Sequence, residues 1–269
     1  MGAAVSGSDA DASSDGAYGT IVVVGGGCYG SYYVRQLGRG RHAGALTWDE
    51  VVVVDRDPAC RMAQALSAGE VAAPAVRVVV AEWTEFFRTY LDAACTAPGP
   101  AARDAIVPSP LMPHLMYEWL LERAAAHWPA RRVVTRPLAG APAVPWHRPA
   151  PTGTLYVSFA EWMCPVNCIE PATCPKTREA RWWTMPTALH EYVDAEGAAG
   201  RPLVGPVIFH CTHRAYGVGM FDTSAAVRAD AVVRDAGTRG PADVLIGTVS
   251  HCHGAVNVLA IGEGRGNDY

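Results

Sequence analysis

The feature that most constrains the fold of this chain is a run of glycines placed directly after a short apolar stretch. Residues 20–24 are rich in β-branched side chains, as in a buried strand, and the sequence GGGCYG follows at residues 25–30. The next residues, from 31 to about 37, have helical character. A strand, a glycine-rich turn and a helix in this order predict a unit that binds the phosphates of a nucleotide.

The glycines have the spacing G-x-G-x-x-G, and each has a separate predicted role. Gly25 allows the tight turn, Gly27 lets a pyrophosphate approach the backbone, and Gly30 lets the helix pack closely on the strand. The start of the helix, at Cys28 and Tyr29, supplies free N–H groups and a partial positive charge for the phosphates. The alternative explanation is that these glycines only form a tight turn.

A second apolar run, at residues 51–54, ends in Asp55, which is followed by Arg56. An acidic residue at this position can accept hydrogen bonds from the ribose hydroxyls of the adenosine, and its charge would repel a 2′-phosphate. Asp55 therefore favours NAD(H) over NADP(H) as the cofactor, whereas Arg56 works against that preference. The alternative is that Asp55 only caps the next helix.

The stretch IVVVGGGCYGSYYVRQL, followed by VVVVDRDP, resembles the NAD-binding domain of the TrkA-N type, which occurs in potassium-uptake regulators and many dehydrogenases. The resemblance extends to about residue 120, and it implies a Rossmann fold that binds NAD. One departure is that the distance from Gly30 to Asp55 exceeds the ~20 residues usual for this fingerprint. We assign the extra residues to a polar loop at 38–49.

Strands and helices continue to alternate after this unit. We predict strands at 76–80 and 105–107 and helices at 83–94 and 113–126, an order that indicates a parallel sheet with crossover helices. Ligands of such sheets bind at the carboxyl ends of the strands, where Ser109 is expected.

Proline and small residues mark the boundaries of the predicted domains. Five prolines between residues 136 and 152 exclude a continuous helix or a central strand there. The N-terminal residues are small and acidic, without the basic start and apolar middle of a signal peptide. The predicted fold class is α/β, with a Rossmann-like parallel sheet and a C-terminal α/β part that carries a cysteine-rich loop. The predicted parts are a disordered tail (1–18), a Rossmann domain (19–135), a proline-rich linker (136–152) and a Cys/His-rich part (153–269).

Three cysteines, Cys164, Cys168 and Cys174, fall within eleven residues in the pattern C-x3-C-x5-C. Thiolates on a short, proline-stiffened loop can converge on one centre, and sulfur ligands select zinc or iron–sulfur clusters. The triple lacks the paired layout of structural zinc sites, whereas iron–sulfur loops tolerate uneven spacing and often contain Cys-Pro. The pattern favours a [4Fe-4S] cluster with three protein ligands. Zinc, or no metal, is the alternative.

Two apolar strands predicted in the second half, at 206–209 and 243–249, each end near a histidine–cysteine cluster. If these strands are neighbours, the two clusters lie side by side, with alternate residues on one face. Their histidines are candidates for metal ligation, for proton transfer or for binding an anionic substrate. The alternative for each is a hydrogen-bonded loop residue. The candidate catalytic residues are His210, His213, His251 and His253.

Composition excludes several partners and sets the expected compartment. The formal net charge is −4, which gives no basic surface for nucleic acid or an anionic membrane. No apolar run reaches the ~20 residues of a membrane span. Clustered cysteines without a secretion signal indicate a reducing compartment, so we expect a cytoplasmic protein.

These features together predict an NAD(H)-binding iron–sulfur oxidoreductase that acts on a small molecule. One alternative is a nucleotide- and redox-sensing regulatory protein, as the TrkA-N resemblance implies. Another is a non-redox [4Fe-4S] lyase with an open iron site, and a third is a zinc-stabilised protein without chemistry at the cysteines. Because nucleotide-binding domains of this kind often pair, a homodimer is one expected assembly.

Overall fold

The computed structural model describes residues 16–165 and 168–264 of the chain. These residues form a mixed α/β fold with six helices and two mixed sheets of six strands each, so the predicted α/β class is confirmed. The helices are α1 (Cys28–His42), α2 (Arg61–Ser67), α3 (Trp83–Thr96), α4 (Leu115–His127), α5 (Met185–Ala198) and α6 (Thr223–Arg239). The strands are β1 (Ala17–Val24), β2 (Thr47–Asp55), β3 (Val76–Val80), β4 (Ala105–Val107), β5 (Arg131–Arg136), β6 (Trp146–Pro149), β7 (Leu155–Ser158), β8 (Val204–His210), β9 (Thr212–Ala215), β10 (Val218–Asp222), β11 (Ala242–Val249) and β12 (His253–Gly264).

The first sheet has the strand order β3-β2-β1-β4-β10-β9. The strands β3, β2, β1 and β4 run parallel, and β10 and β9 are added antiparallel. Valines of β1 and β2 pair in register, from Val22 with Val52 to Val24 with Val54. Because side chains alternate along a strand, an unbroken valine run makes both faces of the sheet apolar, and both faces are covered by helices.

The second sheet has the strand order β6-β7-β12-β11-β8, and β5 pairs with the later part of β12. β11 and β8 run parallel, whereas the other pairs are antiparallel. The carboxyl ends of β8 and β11 therefore lie side by side, with His210 opposite Val249. The turn that follows β11 connects to β12.

Helices form three layers around the two sheets. The helices α1 and α2 cover one face of the first sheet, and α5 covers the outer face of the second. The helices α3, α4 and α6 lie between the sheets, where their apolar side chains form one continuous core with both. Because this central layer belongs to both sheets, the two halves of the chain are packed as one body.

An ion-pair network around the buried Asp230 joins the three central helices. Arg123 of α4 donates from Nη1 to Asp92 of α3 at 2.8 Å and from Nε to Asp230 of α6 at 2.6 Å. Arg234 also contacts the Asp230 carboxylate, at 3.1 Å. The Asp230 side chain is only 3% exposed, so these partners are what allow a charge in that position.

The structure corrects two details of the predicted first half. The polar loop predicted at 38–49 is wrong, because α1 continues to His42 and β2 already begins at Thr47. Arg41 explains the polar end of this helix, since its guanidinium stacks 4.7 Å from the Trp48 ring and donates to the Trp48 carbonyl. Tyr18, predicted to lie in a disordered tail, is a buried residue of β1. Residues 1–15 of that tail lie outside the described residues.

The chain crosses between the sheets more often than a division into two consecutive domains implies. β5, which ends at Arg136, already belongs to the second sheet, and β6 lies within the predicted linker at 136–152. β9 and β10 then return to the first sheet. None of the helices in the described part of the chain has the length and apolar character needed to cross a membrane.

Candidate functional site

A cavity of about 860 Å³ lies where the two halves of the chain meet. The first sheet contributes the start of α1 and the residues after β4, and the hairpin of β9 and β10 forms a further wall. The remaining wall comes from β6 and β7, from the turn between β11 and β12, and from the described residues of the segment 159–165 and 168–184, which connects β7 to α5 and which we call the cysteine segment. Tyr29 beside the glycine turn, the cysteine segment and the turn after β11, which are distant in the sequence, therefore line one cavity.

The glycine turn has the geometry that its sequence predicts. Gly25 has a φ of 87°, in the left-handed region that favours glycine. At Gly30 a Cβ would lie 1.7 Å from the Gly25 carbonyl oxygen, so only glycine allows α1 to approach β1 this closely. At Gly27 a Cβ would meet nothing within 4 Å. The turn is therefore tightly packed on the side of β1 and open at Gly27.

The Asp55 carboxylate is held against the glycine turn. Its Oδ2 accepts a hydrogen bond from the Gly26 N–H at 2.6 Å, and its Oδ1 accepts one from the Asp57 N–H at 2.9 Å. Arg56 follows as an exposed residue. The carboxyl end of β2 is thus fixed beside the turn, where an acidic side chain was expected.

The start of α1 faces outward between this turn and the cavity. Gly27, Cys28 and Tyr29 are exposed, and the Cys28 sulfur accepts a long hydrogen bond from Arg61 Nη1 at 3.6 Å. Tyr29 and Ser109, the latter from the segment after β4, both line the cavity. Tyr29 of the exposed helix start therefore reaches the cavity, whereas the glycine turn, Cys28 and Asp55 lie outside its lining.

The cysteine segment is folded onto the turn between β11 and β12. The Phe159 N–H donates to the Cys252 carbonyl at 2.7 Å, and the Met185 N–H donates to the His251 carbonyl at 2.8 Å. These two bonds fix both ends of the segment. Cys164, Cys168 and Cys174 all line the cavity, as do Cys211 and Cys252.

Cys174 lies in a tight backbone turn that surrounds its sulfur with N–H groups. Cys174 N–H donates to the Glu179 carbonyl at 2.9 Å, and Arg178 N–H donates to the Cys174 carbonyl at 2.8 Å. The backbone N–H groups of Thr177 and Lys176 hydrogen-bond to the thiol and hold its pKa below the ordinary value. This environment favours a thiolate, the form that binds metals.

The other two thiols of the triple share the cavity without forming a finished metal site. Burial raises the pKa of Cys164, and the nearby thiols of Cys168 and Cys174 raise it further. In residues 16–165 and 168–264, no group of three His, Cys, Asp or Glu side chains is arranged to hold a metal ion. The sulfurs are thus close enough to affect each other's charge but are not at ligand spacing.

Three buried N–H groups of the cysteine segment, Trp162 Nε1, Arg181 Nε and Trp183 Nε1, have no oxygen or nitrogen acceptor among the described residues. The Trp162 indole lies beside the Cys164 thiol and the Trp183 indole beside the Cys252 thiol, and each acts to lower the pKa of its neighbour. All three side chains line the cavity. Buried donors without strong acceptors are costly, because each loses its hydrogen bonds to water. This part of the wall therefore offers N–H donors to the thiols and to a ligand with acceptor atoms.

Glu170, within the cysteine segment, forms the polar centre of the site. Its side chain is 3% exposed, and its carboxylate accepts hydrogen bonds from the Ser250 hydroxyl at 2.6 Å, the His251 N–H at 2.9 Å and the Cys252 N–H at 3.2 Å. Burial acts to raise the pKa of Glu170, but these bonds and the imidazoles of His213 and His253 lower it below the ordinary value. Glu170 is therefore a buried anion in the cavity wall.

The histidines predicted from the sequence divide into two pairs. His213 and His253 line the cavity, and His213 Nδ1 lies 3.6 Å from Glu170 Oε2. Burial lowers the pKa of His213, and the neighbouring Glu170 only partly opposes this. His210 and His251 are outside the cavity wall, with His210 Nε2 3.2 Å from His251 Nδ1. His251 Nδ1 also lies 3.7 Å from Glu170 Oε2, so Glu170 has a histidine on either side of the wall.

Sequence reasoning missed Glu170, the residue that connects the cysteine segment to the histidines. Its φ of 49° lies in the left-handed region, a conformation that non-glycine residues adopt at a cost and that is frequent at functional sites. The available signal was the acidic residue between Cys168 and Pro171. A charged side chain inside a segment of candidate ligands suggests that its charge has a role in the site.

One family model matches the chain, that of AF_1314_C, which is described as "Uncharacterized protein, C-terminal domain" and covers residues 116–262. This range is just over half of the chain and contains the cysteine segment and both histidine–cysteine clusters. No curated protein and no solved structure matches the chain.

Proposed function

The chain belongs to the AF_1314_C family, and we propose that it is an NAD(H)-dependent oxidoreductase whose cavity also holds an iron–sulfur cluster bound by cysteine thiolates. The observation that carries the proposal is that one cavity is lined by Tyr29 at the start of α1 and Ser109 after β4, and also by Cys164, Cys168 and Cys174. A small substrate bound there would contact the nicotinamide end of NAD(H) and the group held by the cysteine thiols. The reaction class is oxidoreduction by hydride or electron transfer.

The strand order supports a dinucleotide cofactor. The parallel order β3-β2-β1-β4 is that of one half of a Rossmann fold, in which the pyrophosphate binds at the start of the helix after β1. Here that helix begins at Cys28, after an open Gly27, and no acidic residue lies in its first turn. Its free N–H groups and positive dipole end can therefore receive phosphates.

The direction in which NAD(H) would lie follows from the ends of the strands. Asp55 at the end of β2 defines the side of the adenosine, because its carboxylate can accept bonds from ribose hydroxyls. From the pyrophosphate position at Gly27, the nicotinamide half then extends past Tyr29 towards Ser109. Its reactive ring would then lie in the cavity.

The donor set of the cysteine segment fits an iron–sulfur cluster. Three thiols line one cavity, Cys174 is already surrounded by N–H groups, and the indoles of Trp162 and Trp183 lie beside thiols of the cavity wall. Hydrogen bonds to sulfur stabilise and tune such clusters. Because the thiols are not at ligand spacing, binding would draw them together. A bound cluster would supply one-electron transfer beside the nicotinamide.

Two measurements on one anaerobic preparation test the proposal. NADH binding is followed by the fluorescence of the nucleotide, and iron, sulfide and zinc are quantified together with the visible spectrum. The variant C174S is compared with C95S, because Cys95 on α3 is outside the cavity wall.

We expect wild type and C95S to contain iron and sulfide and to bind NADH, and we expect C174S to lose the iron and sulfide. Zinc in place of iron, or no metal in the wild type, would overturn the cluster. Absence of NADH binding would overturn the assignment of the cofactor.

A further inference from the structure

A buried carboxylate and a histidine in the cavity wall have the arrangement of an acid–base pair. We propose that His213 is the proton acceptor of the reaction and that Glu170 is its positioning residue. The substrate then gives up a proton from O–H or N–H together with a hydride from the adjoining carbon, which makes it an alcohol or an amine. The inference rests on the proposed binding of NAD(H), but it does not depend on the cluster.

Glu170 is held in place by several hydrogen bonds from one turn of the backbone. Its three hydrogen bonds all come from the turn between β11 and β12, at 2.6 to 3.2 Å, and they use both carboxylate oxygens. The side chain is 3% exposed, and the backbone of Glu170 is in a left-handed conformation. A carboxylate fixed in this way can orient a neighbouring imidazole without moving itself.

His213 lines the cavity and has one ring nitrogen on the side of Glu170. Nδ1 lies 3.6 Å from Glu170 Oε2, longer than a hydrogen bond, and the same oxygen is 3.7 Å from His251 Nδ1. Catalytic contacts of this length often tighten when a ligand binds. Nε2 lies next to Gly219, which also lines the cavity. In the tautomer with its proton on Nδ1, the neutral ring keeps a lone pair on Nε2 for a substrate proton.

The charges around His213 suit this role. Burial keeps the imidazole neutral, and His253, His251 and Arg181 favour the neutral form further, whereas Glu170 favours the protonated form. A neutral imidazole can accept a proton, and the buried carboxylate then stabilises the imidazolium that forms. This is the arrangement of a base that is oriented by an anionic partner.

The proposed reaction removes a hydride and a proton from the substrate. The substrate C–H bond breaks and its hydride, with two electrons, adds to C4 of the nicotinamide of NAD⁺. The O–H or N–H bond breaks and its proton moves to Nε2 of His213, while the substrate carbon forms a double bond to oxygen or nitrogen. NADH and an imidazolium result, and the proton leaves to water through the open mouth of the cavity.

The experiment measures how pH and NADH change the reactivity of His213 in the full-length protein. Diethyl pyrocarbonate modifies neutral imidazoles, and mass spectrometry of peptides gives the rate at each histidine. His190 on α5 is exposed and far from the cavity wall, so it serves as the internal control. NADH itself is the ligand used, since no substrate is required.

We expect saturating NADH to slow the modification of His213 at least fivefold and to leave His190 unchanged. The midpoint of the pH dependence at His213 should lie below the ordinary value of a histidine side chain, because burial disfavours the charged imidazole. In E170Q this midpoint should fall further, because the carboxylate that favours protonation is lost. In H251Q it should rise, because His251 opposes protonation of His213.

Equal midpoints in wild type, E170Q and H251Q would overturn the pairing of Glu170 with His213. If E170Q does not fold, E170D decides this point: it keeps the charge but withdraws it from His213, so the midpoint should fall as in E170Q. NADH binding without protection of His213 would overturn its role as proton acceptor. Absence of NADH binding with the shifts intact would instead refute the proposed cofactor and leave the Glu170–His213 pair standing.

Discussion

The substitutions G30A and G27A should affect different properties, because the two glycines of one turn have different surroundings. G30A should lower the stability of the fold, whereas G27A should weaken NADH binding. A Cβ at Gly30 would lie 1.7 Å from the Gly25 carbonyl oxygen and 2.9 Å from its carbon. These are backbone atoms, so α1 has to move as a whole. Overpacking usually costs about 1–3 kcal/mol, and since no flexible side chain can yield here, we expect roughly 3 kcal/mol.

Gly27 has a φ of −76°, which alanine adopts freely, and a Cβ there would meet nothing within 4 Å. Because alanine is a poorer N-cap than glycine, G27A should lower the free energy of unfolding by less than about 1 kcal/mol. The added methyl group would instead occupy the approach of the pyrophosphate. Loss of one charged hydrogen bond costs about 1.5–3 kcal/mol, so NADH affinity should fall at least about tenfold.

Thermal unfolding and NADH fluorescence titration measure the two effects separately. For G30A the melting temperature should fall by roughly 6–12 °C, from about 2–4 °C per kcal/mol for a protein of this size. For G27A it should stay within about 4 °C of wild type, while NADH binding weakens. NADH affinity unchanged in G27A would refute the position assigned to the phosphates. Wild-type stability in G30A would refute the close contact between α1 and β1.

Three further predictions concern the cofactor, the core and the thiols. D55N should weaken NADH binding about tenfold and reduce the preference for NADH over NADPH. The reason is that the substitution removes the carboxylate that binds the ribose and repels a 2′-phosphate. Titrations with NADH and with NADPH measure both effects. R123M should lower the free energy of unfolding in urea by roughly 2–3 kcal/mol, because buried Asp230 then retains only one cationic partner, and an unchanged midpoint would contradict it. At pH 8, in metal-free protein, iodoacetamide should alkylate exposed Cys28 but not Cys211, because burial raises the pKa of Cys211 to about 12. Alkylation of Cys211 should begin only as the pH rises towards that value. Peptide mass spectrometry measures both reactions, and alkylation of Cys211 at pH 8 would contradict the prediction.

The glycine turn and the strands around it could be predicted because their signals are local. The valines at 51–54 indicate a strand buried on both faces. The spacing of Gly25, Gly27 and Gly30 indicates a tight turn, and neither signal depends on contacts with distant residues. The end of α1 could not be predicted from its own polar residues. It is stabilised by Arg41 packing on Trp48, a contact with the next strand.

Non-local pairing accounts for most of the remaining differences. β9 and β10 return to the first sheet, although the strands before and after them in the sequence, β8 and β11, belong to the second sheet. No local pattern in residues 212–222 predicts this pairing. The partnership of Glu170 with the turn after β11 spans about eighty residues of sequence. The sequence indicated which residue types could form a site, whereas the fold decides that His213 and His253 face the cavity and that His210 and His251 do not.

The most direct test of the central proposal is whether bound NADH and a thiolate-bound cluster lie in the same cavity. The fluorescence of NADH bound to anaerobic, iron-loaded protein is compared with that of NADH bound to metal-free protein at equal occupancy. A cluster beside the nicotinamide absorbs the emitted energy, so we expect strong quenching in the loaded protein. In iron-loaded protein, equal fluorescence of bound NADH in the two forms would contradict the shared cavity, and failure of the protein to load iron would contradict the cluster itself.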